Sequence, residues 1–295
     1  MTEPTAAEKL RDELAKPDDP PGPGLYPDVA PDTYFGWMLA SQSVLKQHLI
    51  SPAHALAAIT EDAESTKAQA LGTAMHCAIL EPERFRRDYF CAPTGDGRTK
   101  RFKEELAQLK RAHPGAEPLR APDWEACIRV SRKMWRHETV RALLEGRGVN
   151  ELSAVADLPY GFRMKMRVDR YTKYAGYPTI VDFKKVGRDV RPFAFSRDAA
   201  KYRYHFQARA YLYCLDQIDL NPDRRFLTVA FEDKPPFECV VYEYDIQSMN
   251  AAEVLFERAC RSHANCVATG HWPGLSQIVT PLTLPDWALN EQEEP

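Results

Sequence analysis

The stretch from Leu152 to Lys184 constrains this chain more than any other. Leu152 to Leu158 is a mostly apolar run of strand length. Met164, Met166 and Val168 then alternate with Lys165, Arg167 and Asp169, the period of two that a half-buried strand requires. After a Gly176-Tyr177-Pro178 turn comes Thr179-Ile180-Val181-Asp182-Phe183-Lys184, a third and mostly apolar strand. Asp182 and Lys184 are two residues apart, so both side chains leave one face, while Val181 and Phe183 form the opposite, apolar face. A hairpin returning through Tyr177-Pro178 brings Asp169, at the end of its strand, toward Asp182 at one edge of a sheet.

That geometry implies a chemistry. Two crowded carboxylates repel unless a cation sits between them. Their hard oxygens favour Mg²⁺ or Mn²⁺ over zinc. A lysine beside such a cation can orient a water and stabilise the charge that grows on a phosphate under attack. An Asp-x-Lys on a strand is also a common surface ion pair, but the apolar flanks place this one centrally in the pattern. Two further groups stand out. Gln207 and Tyr211 share a face of a helix expected over about 202–216, with Tyr204 on the same side. His76 lies on a helix expected over 67–80, one turn after Gly72, whose missing side chain would permit a close approach. Taken singly, His76 and Tyr211 read equally as core residues and Gln207 as a solvated one.

Around this centre the pattern is helical first and mixed later. Ser41 and Ser51-Pro52 are helix starts, and the helix over 67–80 stops at Pro82. Residues 102–112 and 122–145 read as helices, 226–232 and 238–244 as strands, and 248–268 as a final amphipathic helix. This order predicts an α/β domain built on a mixed β-sheet flanked by helices, with a helical N-terminal part. Residues 1–33 hold seven prolines and read as a flexible lead, 34–275 as the domain, and 276–295 as a C-terminal tail.

Composition limits the partners. The net charge of −3 allows a locally basic groove but gives no support for a broad nucleic-acid surface, so any DNA reading rests on the site. The candidates are Lys100, Arg101 and Lys103 at the end of a loop with the single acid Asp96, together with Arg163 and Lys165 beside the Asp169 strand. Arg129, Arg132, Lys133 and Arg136 on the long helix are further candidates. The seven cysteines are odd in number and form no C-x-x-C pair, which argues against a disulfide framework and an iron–sulfur cluster. No run approaches the roughly 20 apolar residues of a membrane span. No signal pattern opens the chain, and a cytoplasmic protein without membrane association is expected.

Four motifs, in order, carry a resemblance. Ser41-Gln42-Ser43-Val44-Leu45-Lys46 with Ser51-Pro52, Gly72-Thr73-Ala74-Met75-His76 through Phe85, Arg167-Val168-Asp169 with Ile180-Val181-Asp182-Phe183-Lys184, and Tyr204-His205-Phe206-Gln207 through Tyr211 resemble the RecE-type exonuclease VIII family. That family belongs to the PD-(D/E)XK nuclease superfamily, with RecB-type nuclease domains and phage λ exonuclease. The resemblance covers about residues 38–270 and departs where Lys185 and Val186 follow the Asp-x-Lys in place of the usual Thr. It implies a restriction-endonuclease-like fold and a Mg²⁺-dependent exodeoxyribonuclease, Mn²⁺ substituting, with two ions per site. His76, Asp169, Asp182 and the Phe183 carbonyl would hold the metals, and Glu151 is an additional candidate. Lys184, Gln207 and Tyr211 would form the catalytic set. The implied substrate is the end of linear double-stranded DNA, digested 5′ to 3′ to leave 3′ single strands for a strand-annealing protein. A ring-like trimer or tetramer is implied as well. A structure-specific or repair endonuclease with the same site, or a non-cutting DNA-binding module of the same fold, remain the alternatives.

Overall fold

The computed structural model describes residues 21–61, 66–187, 189–285 and 289. Local sequence signals account for most element starts. Strand β1 (Gly24–Tyr26) and helix α1 (Pro31–Gly36) precede the short strand β2 (Ala40–Ser41). Ser41 then caps α2 (Gln42–Gln47) by accepting from the Val44 amide, and Ser51 caps α3 (Pro52–Thr60), with Pro52 in its first turn. A reciprocal Thr66/Gln69 capping box opens α4 (Lys67–Leu80), and α5 (Pro82–Asp88) follows at once. Strands β3 (Tyr89–Cys91) and β4 (Glu117–Leu119) pair apart from the main sheet, on either side of α6 (Lys100–Ala112).

Helices α7 (Ala121–Arg136) and α8 (Glu138–Glu145) replace the single helix expected over 122–145. The break is at His137, whose extended backbone and ring cap α8 at the Val140 amide. The three strands read from the sequence are β5 (Gly148–Leu158), β6 (Phe162–Tyr174) and β7 (Tyr177–Val186). Then come α9 (Pro192–Tyr202), α10 (Tyr204–Ile218), β8 (Arg225–Glu232), β9 (Cys239–Glu243) and α11 (Ile246–Thr269). Helix α9 was not expected, although Pro192 at its first turn is a start signal. Arg203, left-handed at φ 57° and ψ 48°, separates it from α10.

The main sheet runs β1-β5-β6-β7-β8-β9, with β2 added against β6. β5, β6 and β7 are antiparallel neighbours. β8 lies parallel to β7, which requires the crossover that α9 and α10 provide. The sheet is therefore mixed, as the sequence pattern predicts. One face, with Ala154, Met164, Met166 and Ile180, packs against Phe206 and Cys214 of α10 and Phe256 of α11. The other, with Val181, Phe183, Leu227 and Val229, packs against Met75 and Ile79 of α4 and Met134 of α7. Helices cover both faces, and this is the restriction-endonuclease-like arrangement.

Two expectations change. The stretch before residue 34 is not uniformly a loose lead where it is described: β1 pairs antiparallel with β5, Gly24 opposite Val155, and α1 begins at Pro31. Tyr34 and Trp37 bury against Val155, so aromatic residues among the prolines supply a small core. Residues 1–20 lie outside the described part. Lys165, expected at a DNA surface, is instead only 8% exposed. Its ammonium donates to the carbonyls of Tyr34 (2.9 Å), Phe35 (3.2 Å) and Trp37 (2.6 Å). Tyr34 and Phe35 end α1 and Trp37 caps it; the Tyr34 and Trp37 carbonyls also accept from the Trp37 and Leu39 amides, so the lysine adds a second donor to each. β2 pairs with β6 in the register Ser41 opposite Lys165, which lays the N-terminal segment over that lysine.

Lys165→Met is therefore expected to lower stability by about 2 kcal/mol, because three carbonyls, two of them in buried bonds, lose a charged donor. Urea denaturation checks this. The salt dependence of DNA binding should be unchanged, and a flatter slope would restore the surface reading of Lys165.

Candidate active site

The site forms where β6 and β7 part. Their ladder runs from Tyr174 opposite Tyr177 to Arg170 opposite Val181 and stops there, so Asp169 and Asp182 are the first opposed residues beyond the last rung. On the other side of β6, the rungs Asn150–Arg170 and Leu152–Val168 flank an unpaired position at which Glu151 faces Asp169. Glu151 has φ 51°, a left-handed conformation that a non-glycine residue seldom adopts. The alternation of faces slips by one residue there. Val149 and Tyr171 pack into the same core as Leu152 and Val168, leaving Glu151 and Asp169 outside the regular pleat. Glu151, Asp169 and Asp182 thus lie in a row across three adjacent strands. Further along, β2 occupies the edge of β6 that β7 has left.

Each carboxylate has a defined setting. As β6 departs, the Phe183 amide would lose a ladder partner, and Asp169 Oδ2 accepts from it at 2.7 Å. His76 Nδ1 is 3.5 Å from the same oxygen, its ring against Phe183 and Phe231. Asp182 is 3% exposed. Its Oδ1 accepts from Gln207 Nε2 at 2.8 Å, and the Lys184 ammonium is 2.7 Å from Oδ2. That ion pair falls outside hydrogen-bonding geometry, so Oδ2 is buried without a hydrogen-bond donor. Lys184 also lies over the Tyr204 ring, 5.0 Å from its centroid. Tyr211 is buried four residues after Gln207, on the same face of α10. Arg167 donates to Glu151 at 2.7 Å.

The electrostatics follow from this crowding. Burial, and then the neighbouring Asp182, push the Asp169 carboxyl up to about 7. Burial and then Asp169 raise Glu151. Burial, followed by the charge of Lys184, lowers His76 and favours its neutral, ligating form. Carboxyls raised in this way mark a place short of positive charge. Oxygen donors with one imidazole suit a hard divalent cation. Among the described residues, no three His, Cys, Asp or Glu side chains converge as a ready metal shell; the donors meet in pairs. The cleft beside them, 280 Å³, is lined by Phe35, His76, Arg84, Glu151, Arg167 and Asp169 among others.

The structure thus brings His76, Glu151, Asp169, Asp182, the Phe183 backbone, Lys184, Gln207 and Tyr211 to one place. Lys185 leaves by the other face and pairs with Asp233. A side chain at Gly72 would meet only Lys185 Cε at 3.7 Å, so no close approach depends on that glycine. The basic residues proposed for DNA do not join the site in the same way. Lys100 and Arg101 pair with Glu104 and Glu105 one turn on, Lys103 is exposed on α6, and Arg163 stands opposite Asp157. Phe35, which also lines the cleft, falls just past the proline-rich stretch read as a lead, within the aromatic cluster Tyr34-Phe35-Gly36-Trp37.

A mixed sheet clad by helices, with an Asp-x-Lys strand meeting a second aspartate at its open end, defines a PD-(D/E)XK-like domain of the nuclease superfamily. The chain belongs to the family described as a PDDEXK-like domain of unknown function (DUF3799), which matches residues 41–280. Among solved structures, it is similar to one described as "Putative exonuclease" from Eubacterium rectale, at 13% identity and a TM-score of 0.57. That match covers 90% of this chain and 99% of the other, and it is a likeness of fold. A weaker similarity, TM-score 0.27 and 11% identity, links it to SSO0001, over 74% of this chain and 82% of that one. No curated protein matched the sequence.

The raised Asp169 carboxyl predicts a pH dependence for the metal-free protein. Unfolded, an aspartate ionises near its ordinary 3.8, whereas Asp169 in the fold holds its proton to about 7. Between those values the folded state binds more protons, so stability falls as pH rises through that window. In chelator, Asp169→Asn should be more stable than the parent at about pH 8, with the gain vanishing toward about pH 4. Thermal melts across that range check the sign.

Proposed function

We propose that this chain is a divalent-metal-dependent exodeoxyribonuclease that hydrolyses linear double-stranded DNA from its ends. The observation that carries this reading is Asp169 held between Glu151 and Asp182, with Lys184 against Asp182. His76, Asp169, Asp182 and the Phe183 carbonyl are the groups that would hold Mg²⁺ or Mn²⁺, with Glu151 as an additional ligand. Bound in pairs, such ions supply charge neutralisation and an acidified water for phosphodiester hydrolysis. The chain's own residues do the rest. Lys184 positions the attacking water and faces the phosphate, with the Tyr204 ring beneath its ammonium. Gln207 fixes the Asp182 carboxylate, and Tyr211, buried on the same helix face, braces Gln207.

The finer reading rests on the motif resemblance to the RecE-type exonuclease VIII family, and the name of the Eubacterium rectale protein agrees with exonuclease action. It comprises 5′-to-3′ polarity, 3′ single strands passed to a strand-annealing protein, and a ring-like trimer or tetramer. The net charge of −3 suits a protein that grips DNA locally rather than coating it.

The test is nucleotide release from linear and closed circular duplexes in Mg²⁺ and in excess EDTA. Linear DNA alone should be digested, and chelator should abolish the activity. Lys184→Ala should lower turnover by roughly 10²-fold or more, and in chelator it should also melt earlier than the parent, because the buried Asp182 carboxylate loses its cation. Equal digestion of circles would point to an endonuclease, and full activity in EDTA or in Lys184→Ala would remove the metal mechanism.

A further inference from the structure

Phe35 is 71% exposed, although its neighbours Tyr34 and Trp37 are each only 7% exposed. It lines the cleft that holds His76, Glu151 and Asp169. It also lines a second, larger groove of 520 Å³, walled by Trp37, Met38, Val44, Tyr211 and Trp272 among others. The ring therefore borders two spaces, one holding the carboxylates and one walled by aromatic and aliphatic side chains, with Glu61 and Lys165 also in its lining. Its position is fixed from below. The Lys165 ammonium ties down the carbonyls of Tyr34, Phe35 and Trp37, and the buried Tyr34 ring meets Phe35 edge to face at 5.4 Å. A buried lysine is costly unless its hydrogen bonds are satisfied, and here all three serve to hold one short backbone segment. The result is an exposed aromatic ring on a tethered backbone segment beside the charged site.

We infer that Phe35 is a stacking platform for a nucleobase of the strand being cut, and that the apolar groove receives that base out of the duplex stack. This rests on the nuclease reading above. A strand whose phosphate lies at the carboxylates must place a base within a nucleotide's length, and an exposed aromatic ring offers that base a π-face without reading its identity. The groove's size is within the range of small-molecule pockets, and its apolar wall matches the flat, weakly polar faces of a base. The substrate at this point is therefore an unpaired nucleotide, so the protein should favour frayed or single-stranded ends over a blunt, fully paired one.

The experiment uses the full chain in excess EDTA, titrated into oligonucleotides that carry 2-aminopurine at the terminal positions. The parent and Phe35→Trp should quench the fluorescence. Phe35→Ala should lose the quenching and bind roughly tenfold more weakly, with an unchanged melting temperature because the ring is exposed. Quenching and affinity equal to the parent's in Phe35→Ala overturn the assignment, as does a parent that does not quench. Nucleotide release in Mg²⁺ is measured separately. A parent that quenches but releases nothing removes the nuclease reading and leaves the stacking site in place. A parent that cuts, with the same KM for DNA in Phe35→Ala, removes the stacking site and leaves the nuclease.

Discussion

The parting of β6 from β7 is the constraint on which the rest of this structure depends. Where two antiparallel strands separate, a backbone amide loses its partner, and a buried amide without an acceptor is expensive. Here the carboxylate of Asp169 takes the Phe183 amide. That solution brings Asp169 beside Asp182 and Glu151 in a place of little solvent, where like charges repel strongly. His76, Lys184, Gln207 and Arg167 each answer part of this crowding, and the raised Asp169 carboxyl shows that they do not answer all of it. A cation is the chemically simplest completion.

The gap between the strands also dictates the fold around it. The edge of β6 that β7 leaves is taken by β2, and β2 draws the preceding chain across the sheet. α1 comes to rest at the rim of the carboxylate cleft, held by Lys165. A lysine on the polar side of a strand becomes a structural donor because a neighbouring segment covers it. One local event, the end of a β ladder, thus builds the site and fixes the segment that borders it.

The charge distribution fits the same economy of placement. Positive residues on the outer helices carry acids nearby: Lys100 with Glu104, Arg101 with Glu105, Lys133 with Glu238. Exposed pairs of this kind contribute little to stability. They do keep the surface from presenting a broad cationic field, consistent with the net charge of −3. Unpaired electrostatic demand is concentrated instead at the buried carboxylates, where it has most effect.

The sequence by itself determined the periodic elements and the relations within them. Apolar runs give β5 and β7 and alternation gives β6, and Ser41 and Ser51 mark helix starts through side-chain caps. Two-residue spacing puts Asp182 and Lys184 on one face, and four-residue spacing puts Gln207 beside Tyr211. These relations depend on nearest-neighbour geometry, which a sequence carries directly. Tertiary structure alone decided the rest. Simple alternation places Asp169 with Lys165 and Arg167, but the slip at Glu151 and Asp169 takes both out of the pleat. The same limit hid the break at Arg203, the burial of Gln207 and the role of Lys165. Each depends on which distant segment covers a residue or leaves a strand edge open, and local spacing carries no information about that.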